Sequence, residues 1–222
     1  MSLNFTFKRV PAPQVTDAML ADTAALFSSA YGVWGPLAAQ KTGRFTKAGS
    51  RVKMSAQRLC EQSLSPGTDS ELILGLTDDK IAGYAPEHRG KKLATQILRR
   101  LREGHDDGGF GILSSHPAAI LAALRAWGRG IEDVDLSMTR EHAKAVMAAS
   151  PVNYVKHAKP MGSLFREGED EDGAVCCADT AFWVDHAEPL AVLAAVKERR
   201  DVQWPFGELP EGCEYLVLVM AE

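Results

Sequence analysis

The chain has 222 residues, 45% of them hydrophobic, with a formal net charge of -4 and a pI near 5.9. That is enough apolar material for one sizeable core, while the acidic balance excludes a polyanion binder over the whole surface and leaves room only for local anion sites. No apolar run approaches the ~20 residues of a membrane span, and Met1 to Asn4 lacks a basic region followed by an apolar one, so a cytoplasmic protein with no membrane partner is expected. Cys60, Cys176, Cys177 and Cys213 show no C-x-x-C spacing, which points to four reduced thiols and no metal site.

Asn4 to Val10 largely alternates apolar and polar residues, as a half-buried strand does, and Pro11 and Pro13 end it. Thr16 or Asp17 then caps a helix reaching Ala30, with Met19, Leu20, Thr23, Leu26, Phe27 and Ala30 recurring at helical spacing. Tyr31-Gly32-Val33-Trp34-Gly35-Pro36 breaks it, and a second helix is expected from Ser50 to Leu64, with Val52, Met54, Leu59 and Cys60 among its apolar residues. Ser70 to Thr77 reads as a strand, Asp78-Asp79-Lys80 as a turn and Ile81 to Ala85 as the start of a returning strand.

Pro86 to Leu98 follows at once, a basic glycine-containing turn that runs into an amphipathic helix with apolar Leu93, Ile97, Leu98 and Leu101. First-turn N–H groups of a helix have no intrahelical partner, and the aligned peptide dipoles place about half a positive charge there, so an anion such as phosphate suits this position. Arg89, Lys91 and Lys92 add formal charge around it. Asp106-Asp107-Gly108-Gly109 then turns into a short strand, Phe110 to Ser114, and a second helix from Pro117 to Trp127 carries proline in its first turn and glycine at its end. A further strand is expected at Ile131 to Leu136.

Arg89-Gly90-Lys91-Lys92-Leu93-Ala94 resembles the R/Q-x-x-G-x-G/A signature of the GNAT superfamily of acetyl-CoA-dependent N-acetyltransferases, whose loop and helix start cradle the pyrophosphate of the cosubstrate. The resemblance implies a single α/β domain over residues 1–222, a mixed central sheet flanked by helices, with C-terminal additions from about residue 139. It implies acetyl-CoA held by Arg89, Gly90, Lys91, Lys92, Leu93, Ala94 and Thr95, and transfer of acetyl to an amine of a small molecule or peptide. Ser115 looks like the small polar residue that many GNAT enzymes place at the end of this strand. Ser114-Ser115-His116-Pro117 and Gly162-Ser163-Leu164-Phe165 are similar to segments of a fungal GNAT-like group.

Three positions depart from the pattern. Lys92 stands where the central glycine is usual, and Leu124 where many members carry the tyrosine that protonates the departing thiolate. Upstream, Tyr84-Ala85 joins Pro86-Glu87 directly, so one or two central strands are missing, on the order of 20 to 30 residues with their turns. A shortened enzyme, a catalytically degenerate homologue that binds CoA or a protein partner, and a rearranged sheet all fit this gap. Tyr31 and Trp34 either line the acceptor site, as the resemblance implies, or pack a helix end against the sheet.

Thr139-Arg140-Glu141-His142 opens a helix running to Ala149, Asn153 to Leu164 looks like a loop, and Arg166 to Gly173 is an acidic surface excursion. Ala181 to His186 reads as a strand entering a turn, before a helix from about Glu188 to Arg199. His186 beside Asp185 is a candidate general base or a residue of the helix entry. Glu214 to Val219 is the last strand. The basic run from His88 to Arg102 also fits nucleic acid in charge alone, but the chain carries no nucleic-acid motif and is acidic overall, so no nucleic-acid partner is expected.

Overall fold

A computed structural model describes residues 4–64, 67, 69–78, 80–82, 90–105, 108–168, 173–200 and 202–220 of the chain. It is an α/β fold with two antiparallel sheets flanked by helices. The first sheet runs in the order β1 (Thr6–Pro11), β2 (Glu71–Thr77), β3 (Lys80–Ile81), with Thr6 opposite Leu76 and Pro11 opposite Glu71. The second contains β4 (Gly109–Ser114), β5 (Lys159–Met161), β6 (Cys177–Asp179) and β7 (Cys213–Met220), in the spatial order β4-β7-β6-β5. The expected single mixed sheet is therefore replaced, among the described residues, by two sheets with antiparallel pairing throughout. The returning strand is described only as Lys80–Ile81 and Ala82; its continuation at 83–85, and Arg89 of the basic turn, lie outside the described residues.

Between and around the sheets stand α1 (Asp17–Ala30), α2 (Ala38–Thr42), α3 (Ala56–Ser63), α4 (Leu93–Arg102), α5 (Pro117–Ala126), α6 (Leu136–Ala149), α7 (Asn153–His157) and α8 (Ala187–Arg200). Caps set most of the starts. Thr16 Oγ1 accepts Met19 N–H at 3.3 Å, so α1 begins where expected. Ser55 Oγ accepts Arg58 N–H at 3.1 Å, which starts α3 later than Ser50; residues 50–52 instead lie extended against Gly32 and Trp34. Among the described residues no helix is long and apolar enough to cross a membrane.

Other expectations fail for local reasons. Ile131 to Leu136 is not a strand: Asp133 accepts Gly130 N–H at 2.6 Å and Asp135 accepts Met138 N–H at 2.8 Å, so the two aspartates make a turn and then the cap of α6. Thr139, expected as the cap, is buried inside α6, its hydroxyl donating to the Asp135 carbonyl. The expected loop from Asn153 holds α7, β5 and a 3-10 turn at Ser163–Phe165. Ala181 to His186 forms no strand, because Asp179 turns the chain by accepting Ala181 N–H at 2.9 Å, and Ala181 takes a positive φ; one bridge from Val184 to Trp34 remains.

The main core surrounds the second sheet. Residues Cys213 to Leu218 of β7 are all buried, because both faces of the strand are covered. Phe110 stacks on Trp127 at 5.8 Å, which places α5 over the face that carries Tyr215, Val217 and Val219. On the other face, a Cβ built at Gly109 would meet Met220 and Val146 of α6. Successive strand residues alternate faces, so Glu214 points toward the α6 and α7 side while its neighbour Tyr215 points away.

Candidate functional site

The start of α4 departs from the other helix starts. Gly90 has φ 77° and Lys92 has φ 62°, so two left-handed residues lead into the helix, and Lys92 supplies no side-chain cap. The left-handed conformation at Lys92 is one that glycine adopts without strain and lysine does not; it is the position at which the GNAT signature has glycine. Gly90, Lys91 and Lys92 are exposed. Leu93 and Thr95 are buried and Ala94 is exposed, so the Leu93 side chain packs into the protein. Leu93 reaches Gly75 on β2, where a Cβ would stand 2.9 Å from its Cδ1.

The direction of the helices brings several predicted residues to one end of the molecule. Arg102, at the end of α4, lies 5.9 Å over the ring of Phe110, and Trp127, at the end of α5, stacks on the same ring. Both helices therefore run parallel to each other and opposite to β4. Their N-termini lie where β4 ends, at Ser114, which is paired with Tyr215 of β7. Ser115 follows directly and is buried. His116 caps α5 through Nδ1, which accepts Ala118 N–H at 3.1 Å, and its Nε2 lies 3.4 Å from Glu188 of α8, so the start of α8 belongs to the same end.

His186 sits immediately before α8 and is buried, and its Nε2 has no hydrogen-bond partner among the described residues. Burial pushes its pKa below the ordinary value, against the pull of Glu211 and Asp185. Asp185 Oδ1 accepts the Ala187 N–H at 2.7 Å, so that oxygen is engaged as a helix cap. The structure thus brings Ser115 and His186 to the same end as the α4 start and gives His186 a neutral imidazole near neutral pH.

Tyr31 and Trp34 pack as the aromatic reading expected and also reach this end. Tyr31 stacks on Phe27 with ring centroids 4.2 Å apart and meets Phe182 at 5.3 Å; Trp34 meets Phe182 edge-on at 5.6 Å. Gly35 N–H bonds to the Trp183 carbonyl and Asp185 N–H to the Val33 carbonyl, which fixes this loop against the entry to α8. Tyr31, Trp34 and Phe182 remain half-buried.

The residue that sequence reasoning missed is Glu214. It is 2% exposed and accepts a hydrogen bond from the Tyr154 hydroxyl of α7 at 3.1 Å, with the Thr180 and Tyr31 hydroxyls close by. Burial raises its pKa above the ordinary carboxylate range, and the three hydroxyls oppose that rise only in part. No ion pair joins it among the described residues. A charged residue inside an otherwise apolar strand was the available signal.

Elsewhere, Cys176 is pushed up to about 12 by burial and is no nucleophile at neutral pH. A recess of about 570 Å³ lies on the opposite face of β7, between α8 and the 207–208 turn, lined by Leu190, Lys197, Glu208 and Tyr215. Compared with protein-family models, with curated proteins and with solved structures, the chain matches none.

Proposed function

We propose that this protein transfers an acetyl group from acetyl-CoA to an amine, in the manner of a GNAT enzyme with a shortened first sheet. The observation that carries the reading is the start of α4: left-handed Gly90 and Lys92, no side-chain cap from Lys92, and two exposed lysines at the entry to the first turn. Such a start suits a pyrophosphate, through backbone donors and the helix dipole. Gly90, Lys91, Lys92 and the N–H groups of Leu93 to Thr95 would hold it, together with Arg89 as the resemblance implies. The parallel course of α4 and α5 supports a thioester lying toward Ser115, where a neutral amine would attack its carbonyl carbon.

Leu124 favours a second reading. It is 1% exposed, inside the core of α5, where a GNAT enzyme has its tyrosine acid. A CoA-binding homologue without turnover would tolerate that leucine, whereas an enzyme must take the proton from elsewhere, at a loss of up to about 10²–10⁴-fold. Melting curves with excess acetyl-CoA, followed by thiol release in the presence of amines, separate the two. Acetyl-CoA at ~100 times its Kd should stabilise the wild type by ~2.7 kcal/mol. The double variant Lys91→Glu with Lys92→Glu should melt cooperatively and show a much smaller shift. An unshifted wild type rules out the acetyl-CoA reading, and a shift without thiol release for any amine assigns the binding module.

A further inference from the structure

We propose that Cys177, Cys213 and Met161 form a binding site for one copper(I) ion, held by two thiolates and a thioether near the edge of the second sheet. The site is separate from the α4 start and does not depend on the acetyl-transfer reading. Three strands supply it. Met161 of β5 stands directly opposite Cys177 of β6, Cys177 stands opposite Tyr215 of β7, and Cys213 lies two residues before Tyr215. Directly paired residues share a face of a sheet, as do residues two apart on one strand. All three sulfur side chains therefore project from the same face. No C-x-x-C spacing announces such a site, because its ligands come from different strands.

The sulfurs are neighbours in space. Cys213 Sγ lies 3.8 Å from Met161 Sδ. Cys177 Sγ is drawn to the same residue by donating to the Met161 carbonyl at 3.3 Å, and the Cys177 and Cys213 thiols are close by each other. Three sulfurs bound to a metal at about 2.3 Å in a trigonal plane stand about 4.0 Å from one another. The Cys213 to Met161 spacing already matches this. Cys177 is 0% and Cys213 2% exposed, whereas Met161, on the outer strand of the sheet, is 45% exposed. An unbranched thioether above two buried thiols gives the ion an entry, since its side chain turns about three rotatable bonds and can close over what it admits.

Softness and ligand number select the ion. Thiolate and thioether are soft donors that suit copper(I), whereas zinc takes four ligands drawn from cysteine, histidine and carboxylates. Among the described residues no group of three or more His, Cys, Asp or Glu side chains is placed to hold a metal, so the zinc ligand set is not assembled around the two thiols. Copper(I) needs only the three sulfurs. Binding joins one ion to two thiols and a thioether, forms two copper–thiolate bonds and one copper–thioether bond, and releases two protons to solvent. No electron is transferred.

The test is an anaerobic titration of the full-length reduced protein with copper(I) against the chromogenic chelator bicinchoninate, followed by X-ray absorption at the copper edge. The wild type should take up one ion with three sulfur neighbours at about 2.3 Å. Substitutions that merely disturb the orientation of metal ligands cost about 10–100-fold in affinity, so Cys213→Ser and Met161→Leu, which each remove a ligand, should weaken binding by at least as much. Met161→Leu should also reduce the sulfur neighbours from three to two, and Cys60→Ser should bind as the wild type does. If Cys213→Ser fails to melt cooperatively, Met161→Leu decides, because it alters a side chain that is largely outside the core. Wild-type affinity in Met161→Leu overturns the proposal, as does affinity lost in Cys60→Ser and kept in Cys213→Ser. A wild-type protein that takes no copper(I) from the chelator, or that binds zinc(II) as tightly as copper(I), overturns it as well.

Discussion

Lys92 and Glu214 differ in legibility. Lys92 was readable because it interrupts a local pattern: its neighbours specify a helix start, and the structure gives it the left-handed conformation that glycine would adopt freely. Glu214 was not readable as buried, since a glutamate near the start of a strand ordinarily faces solvent; its neighbours come from α1, α7 and the turn after β6, which no local spacing brings together. Its burial has a pH signature. A carboxyl whose folded pKa is raised above its unfolded value binds its proton more tightly in the folded state. Its stabilising contribution is therefore complete below the unfolded pKa and is lost as pH rises through the folded one. The Tm of Glu214→Gln minus that of the wild type should thus be small at acid pH. It should grow as pH rises above the ordinary glutamate value of 4.5 and level off once the folded carboxyl is ionised. A difference that stays flat over this range would mean that the carboxylate is not desolvated in solution.

At the scale of elements, helices with a side-chain cap were the most legible. Thr16 marks α1 and Pro117 with His116 marks α5, because capping is a contact within one turn. Errors arose where a short polar side chain diverted an apolar stretch: Asp133 and Asp135 between Ile131 and Leu136, Ser55 inside an expected helix, and Asp179 before Ala181. Pairing of β4 with β7 instead of with the first sheet depends on contacts remote in sequence and has no local sign. The seating of α4 is the element-level property on which cosubstrate binding rests. Leu93 and Ile97 lie over Gly75, where a Cβ would meet their methyl groups at 2.9 and 3.2 Å. Alanine displaces only the flexible ends of those side chains. Gly75→Val adds branched bulk in the middle of β2, and should cost about 1–3 kcal/mol by denaturant unfolding. It should also weaken the acetyl-CoA shift, because lifting α4 moves its first-turn N–H groups. An unchanged acetyl-CoA shift in Gly75→Val would detach the helix start from the binding site.

Across the whole molecule, the two sheets are unequal in what holds them. The main buried cluster draws on β4, β6, β7, α5, α6, α8 and the 202–209 segment, and includes no residue of β1, β2 or β3. The first sheet relies on a smaller set, with Val10, Leu20, Ala24, Leu74 and Leu93 buried near it. Part of its tie to the remainder is polar: Arg9 donates to the carbonyls of Leu101, in the last turn of α4, and of Glu103 just after it. Apolar burial provides most of the free energy that protects backbone amides, and regions with less of it open separately from global unfolding. Hydrogen exchange followed by mass spectrometry should therefore show slower exchange for peptides over residues 213–220 than over 71–77. Leu124→Ala tests the cause: it removes a side chain 1% exposed within the main cluster and should cost about 2–5 kcal/mol. That loss should accelerate exchange in β7 while leaving β2 nearly unchanged, as long as β2 still opens at lower free energy than the whole. Acetyl-CoA should do the reverse, slowing exchange in α4 and β2 first, because its anchoring helix packs on the less stable sheet. Equal acceleration of both peptides in Leu124→Ala would mean that the sheets unfold as one unit, and that cosubstrate binding stabilises the fold as a whole and not the half that carries the helix start.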